Sequence, residues 1–317
     1  MSDLRKAALV AVRDCMGAAA GENVLVIMDK GTRSVGMALF EAAVSLGCEA
    51  MVVEIIPRKR NGEEPPQPVA ELMRHVDVVL APTSKSITHT VARGNACKAG
   101  VRVATLPGIT EDCMARTLVA DYDGVAERAE KYARLLSDGK NVRITNAEGT
   151  DISMSLEGRT GMADTGIYRA RGSSGNLPAG EAFIAPVEGT ANGVFVVDGA
   201  MAGTKFAGTK IKINVVDGYA VSIEGGEAAK AIEDMIGPLG MPARNIAELG
   251  IGTNDHARIT GQVLEDEKVM GTIHIALGDN SNFGGNVRVA SHLDGIVVAP
   301  TVEVDGVVIM DSGKFIH

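Results

Sequence analysis

The hydrophobic rhythm of the chain changes once, near residue 140, and that change constrains the fold more than any single motif. Before it, short apolar runs alternate with stretches of helical spacing. NVLVIMD ends at Asp29, SVGMALFEAAVSLG (34–47) has a helical period and stops at Gly47, and EAMVVEII (49–56) follows. HVDVVLAP (75–82) and GVRVATLPG (100–108) are two further apolar runs, and a long helix from residue 119 closes the block at Gly139. Alternation of this kind predicts a parallel sheet with helices on both faces. No GxGxxG follows the first run, so a dinucleotide site has no support.

After residue 140 the period becomes two. NVRITNAEGTDISMSLEG alternates on both sides of a turn at Asn146–Thr150. KIKINVVDGYAVSIEG and VEVDGVVIMDSG place Asp217-Gly218 and Asp305-Gly306 between alternating runs, the strongest short hairpin signal. One clear helix, GEAAKAIEDMI (226–236), interrupts them. The expected architecture is α/β with two domains. Residues 1–140 form a doubly wound parallel-sheet domain, and residues 141–317 form a β-rich α+β domain that carries any metal site.

Composition narrows the class. A net charge of −9 argues against a nucleic-acid backbone as partner. No apolar run reaches the length of a membrane span, and Arg13-Asp14 mark the N-terminal segment as an amphipathic helix, not a signal peptide. Cys15, Cys48, Cys97 and Cys113 are scattered without CxxC spacing, which reads as reduced thiols in a cytoplasmic protein.

Five residues of the second half break a bland sheet pattern. His274 is central to the apolar GTIHIALG, and His292 and Asp294 sit two apart in SHLDGI. Glu181 lies in NLPAGEAFIAP and Glu248 in AELGIGTN. In a strand, positions i and i+2 share a face, so His292 and Asp294 would stand side by side. Two imidazoles and three carboxylates among apolar or small neighbours suit divalent metal ions. Singly, each has a plainer reading: a hydrogen-bonded core histidine, a solvated pair, a cap.

Taken in order, NLPAGEAFIAP, AELGIGTN, LEDEKVMGTIHIALG and SHLDGI resemble the signatures of the thermophilic aminopeptidase family of metallopeptidases. SITHTVARGNACKAGVRVATLPGIT resembles the N-terminal domain of that family. The resemblance implies two divalent ions, zinc or cobalt, on Glu181, Glu248, His274, His292 and Asp294. It implies metal-dependent hydrolysis of a small amide or short peptide, with Glu181 or Glu248 bridging the ions or shuttling the proton. It also implies a homodimer. His256 and Lys268 are expected beside the ligands or the substrate, with a solvated loop residue and a helix-end cap as the plainer readings.

Two features depart from the peptidase pattern. The family has a Tyr seven residues after the histidine of its HxALG motif, where this chain has Ser281, and the segment between His274 and His292 is compressed. A sister group, the 2,5-dihydroxypyridine dioxygenases, uses one Fe(II) on two His and one carboxylate. His274, His292 and Asp294 supply that composition, whereas retention of Glu181 and Glu248 favours two ions. A non-catalytic metal- or ligand-binding relative is the third reading. His75 and His317 are expected at the surface.

Overall fold

The computed structural model describes residues 3–204 and 209–316, so His317 lies outside the described residues. Contacts divide the chain into two units. One runs to Ala126 and includes Asp164–Ala179; the other holds Glu127–Ala163 and continues from Gly180. The sequence boundary near 140 falls after the helix Tyr122–Asp138, which itself contributes to both units.

The first unit is built on five parallel strands in the order Glu49–Ile55, Asn23–Asp29, Val78–Ala81, Arg102–Thr105, Ser174–Asn176. The runs are apolar throughout because both faces are covered. Leu25 and Ile27 pack with Val69, Met73, Ala92 and Ala96 from the helical segments on one face. On the other face the helix Arg33–Ser45 lies against Met28, so close that a Cβ on Gly36 would strike the Met28 side chain. The sheet is therefore doubly wound, as its alternation predicts. Its last strand joins from 71 residues away: Thr105 Oγ1 donates to Asn176 Oδ1 at 2.6 Å.

The second unit holds an eight-stranded and a five-stranded sheet. Asp217-Gly218 (φ 47° and 81°) and Asp305-Gly306 (φ 49° and 83°) turn their hairpins with both residues left-handed, the geometry that fits strand twist. Ser312-Gly313 repeats the device (φ 48° and 77°) before a short final strand, Lys314–Phe315. The helix Gly226–Ile236 falls where its period places it. Phe195, Ile213, Ile275, Leu249 and Val297 belong to one continuous apolar core in this unit. No helix among the described residues is long and apolar enough to cross a membrane.

Candidate metal centre

Four neighbouring antiparallel strands of the five-stranded sheet carry the candidate ligands: Glu181–Ile184, Ile246–Gly252, Ile273–Gly278 and His292–Val297. The two-residue period sorts their side chains. Ala182, Ile184, Leu249, Ile251, Ile273, Ile275, Leu277 and Val297 enter the core. Glu181, Glu248, His274, His292 and Asp294 take alternate positions and so share the opposite face.

Small residues stand across from them in register. His274 faces Gly250, Glu181 faces Gly252, Asp294 faces Ala276, and His292 faces Gly278. The consequence is sharpest at Gly250, where a Cβ would collide with the His274 ring. The sheet is buried there, yet it leaves room for five polar groups.

All five side chains converge. Glu248 lies between the two imidazoles, with Oε1 at 3.3 Å from His274 Nε2 and Oε2 at 3.1 Å from His292 Nε2. His292 Nε2 is also 3.3 Å from Asp294 Oδ1, and His274 Nε2 is 3.5 Å from Glu181 Oε2. Among the described residues, donor atoms of Glu248, His292 and Asp294 lie within 4.8 Å of one another. That tight group contains Glu248 where the iron composition read from the sequence has His274. His292 Nδ1 is 2.8 Å from the carbonyl oxygen of Asp279.

Burial and charge work against each other here. Burial opposes charge on His274, but its hydrogen bond to Glu248 and the charges of Glu181 and Glu248 prevail, raising its pKa to about 9. His292 is likewise held high, against burial, by Asp294 and Glu248. Burial would raise Glu248 and Asp294, yet the imidazoles keep both below the ordinary carboxylate range. Burial pushes Glu267 up, with Lys268 opposing and Asp294 adding to the rise.

The donor set fits a divalent cation. The site holds four carboxylates (Glu181, Glu248, Glu267, Asp294) and one ammonium, that of Lys268, which contacts Glu181 and Glu267. Without protons on the imidazoles the pocket is strongly negative. A divalent ion removes that imbalance and leaves both histidines neutral, the state in which imidazole binds metal. Among the described residues His274 Nδ1 is buried with no hydrogen-bond partner. The ring's bonding capacity is thus concentrated at Nε2, on the side of the carboxylates.

The remaining sequence candidates divide. Lys268 is in the site, 1% exposed, with Nζ 2.6 Å from Glu181 Oε1 and 2.8 Å from Glu267 Oε1. His256 is exposed in the turn after Asn254 and stays outside the cluster. Ser281 is exposed, and its N–H and hydroxyl both donate to Asp279 Oδ1, at 3.1 and 3.0 Å.

Sequence reasoning missed Glu267, although it adjoins Lys268, and it missed the aromatic edge of the site. Phe283 stands nearly perpendicular to both Phe183 (5.7 Å) and His292 (5.8 Å). The signal for Phe183 was its place two residues after Glu181, on the same strand face. The loop carrying Phe283 is anchored by Glu188, which accepts from Asn286 N (2.7 Å), Asn280 Nδ2 (3.0 Å) and Arg159.

No curated protein sequence matches the chain. The solved structure of a 2,5-dihydroxypyridine dioxygenase from Pseudomonas putida is similar at a TM-score of 0.83 and 18% identity, covering 100% of this chain and 98% of that one. The wild-type AmpT structure from Thermus thermophilus is similar at a TM-score of 0.72 and 18% identity, covering 99% of each chain. At such identities both likenesses speak to the fold. Over residues 7–317 the chain matches the NicX family model, described as 2,5-dihydroxypyridine 5,6-dioxygenase, and it belongs to that family.

Proposed function

We propose that the protein is a metal-dependent oxygenase that opens the ring of a small hydroxylated aromatic, a hydroxypyridine being the nearest class. The observation that carries this reading is Phe283, seated edge-on to both Phe183 and His292 beside the Glu248–His292–Asp294 group. Aromatic residues make up only 3% of the chain, so two phenylalanines at a polar site are conspicuous. Ring edges and faces of this kind hold a planar ring and exclude water from it. Family membership over nearly the whole chain supports the same class of chemistry.

The residues have separable tasks. His292 donates from Nδ1 to the Asp279 carbonyl, which leaves Nε2, facing Glu248 and Asp294, as the nitrogen that would give up its proton to a metal ion. Glu248 aligns both imidazoles through its two oxygens. Glu181, Glu267 and Lys268 balance the buried charge. A divalent ion bound there supplies Lewis-acid polarisation and, as iron, one-electron chemistry toward O2.

A second reading, hydrolysis of a small amide with two zinc or cobalt ions, is favoured by the convergence of Glu181 and Glu248 with the histidines. Against it, the Ser281 hydroxyl is engaged by Asp279, so at that position nothing replaces the donor a tyrosine would give to a developing oxyanion.

The test is turnover of dihydroxypyridines and aminoacyl anilides by protein loaded with Fe(II), zinc or cobalt. O2 uptake with the pyridine under Fe(II) is expected; anilide hydrolysis without it would select the second reading. We also propose a homodimer, motivated by the edge strand Glu49–Ile55 and the exposed Val44, Val52 and Ile56 around it. A monomer mass by light scattering would refute it.

A further inference from the structure

We propose that the ammonium of Lys268 takes the charge position of a second metal ion and so limits the site to one divalent cation per chain. The inference rests on the metal-centre reading above and deepens it.

A second ion would need ligands outside the Glu248–His292–Asp294 group. The side chains placed to provide them are Glu181 and His274, whose Oε2 and Nε2 lie 3.5 Å apart. Glu181 is also the carboxylate that Lys268 holds, at 2.6 Å through Oε1. An ammonium and a divalent ion sharing one buried carboxylate repel each other with little solvent between them, and such repulsion is strong in a low-dielectric pocket. Lys268 cannot readily withdraw. It is 1% exposed, Glu267 holds the same ammonium at 2.8 Å, and its backbone is fixed by Lys268 N to Glu265 O (2.9 Å) and Asn254 N to Lys268 O (2.9 Å).

Charge balance points the same way. With neutral imidazoles and all four carboxylates ionised, one divalent ion and the ammonium would leave a single net negative charge. A second divalent ion would make the pocket positive. Without the ammonium, a second divalent ion would bring it to neutrality.

The experiment counts metal per folded chain. Purified protein is stripped, equilibrated separately with zinc, cobalt and anaerobic Fe(II), and analysed by plasma mass spectrometry and titration calorimetry, with circular dichroism as the check on folding. One equivalent is expected in the unmodified protein and in Lys268→Arg, and two in Lys268→Met, which keeps the length and loses the charge. One equivalent in Lys268→Met overturns the inference and leaves the metal-centre reading standing. Two in the unmodified protein also overturn it, and none overturns both. If Lys268→Met does not fold, Glu181→Gln carries the test. Retention of the single ion with binding weakened by no more than about 10²-fold supports the assignment of Glu181 to Lys268, and a greater loss overturns it.

Discussion

His292 Nδ1 lies 2.8 Å from the carbonyl oxygen of Asp279, so a backbone acceptor on the loop decides which ring nitrogen faces Glu248 and Asp294. The same ring meets Phe283 edge-on from that loop. One loop therefore sets both the tautomer of a candidate ligand and the aromatic edge beside it.

Removal of a ligand from the tight group gives the first prediction. His292→Ala or Asp294→Ala should weaken metal binding by more than about 10²-fold, beyond what loss of an outer-shell partner costs. Calorimetric titration of each variant and of the double variant checks it. Tight stoichiometric metal in the double variant would end the assignment.

The histidines also predict a pH dependence. The His274 pKa is raised from 6.5 to about 9 in the folded, metal-free protein, so its contribution to stability is complete below about 6.5 and is lost as pH rises through about 9. Metal must displace these protons, so affinity should climb over the same window and binding near neutral pH should release protons. Titrations in buffers of different ionisation enthalpy measure the release. A dissociation constant flat from pH 6 to 9 would contradict the scheme.

Gly250→Ala tests the packing behind His274. The added methyl collides with the ring, so we expect a loss of about 1–3 kcal/mol of stability together with weaker metal binding. Urea unfolding and metal titration read the two effects separately. No change in either would mean that the ring sits elsewhere.

At Glu188 the expectation concerns the loop. Glu188→Ala leaves Asn286 N, Asn280 Nδ2 and Arg159 without their shared acceptor, at a cost of about 1–3 kcal/mol. The ligands on the strands stay in place, so KM should rise more than kcat falls. Steady-state kinetics decide it, and a pure loss of kcat would place Glu188 in the chemistry itself.

Ser281 should matter little. Its side chain is exposed and bonded within its own turn, so Ser281→Ala is expected to shift stability by less than about 0.5 kcal/mol and to leave turnover near that of the unmodified protein. A hundredfold loss of rate would show that the hydroxyl reaches the reacting atoms after all.

Local periodicity determined much of this protein. The parallel strands, the helix Gly226–Ile236 and the hairpins at Asp217-Gly218 and Asp305-Gly306 follow from the spacing of apolar residues and from turn chemistry acting over a few residues. So does the shared face of His292 and Asp294. The pairing of Ser174–Asn176 with Arg102–Thr105 did not follow, because a parallel partner is chosen by the assembled sheet across a long stretch of chain. For the same reason the division into units departs from the change of rhythm near residue 140.

The site divides in the same way. Sequence nominated Glu181, Glu248, His274, His292 and Asp294 because charged groups among apolar neighbours are costly without a purpose. Only the antiparallel register, with Gly250, Gly252, Ala276 and Gly278 opposite them, brought their donors together. It was also tertiary structure that left His256 exposed, turned Ser281 to Asp279, and placed the Lys268 ammonium between Glu181 and Glu267. A side chain's chemistry is written in its own residue. Its partner is set by the register and packing of strands far away in sequence, and that long-range geometry exists only once the chain has folded.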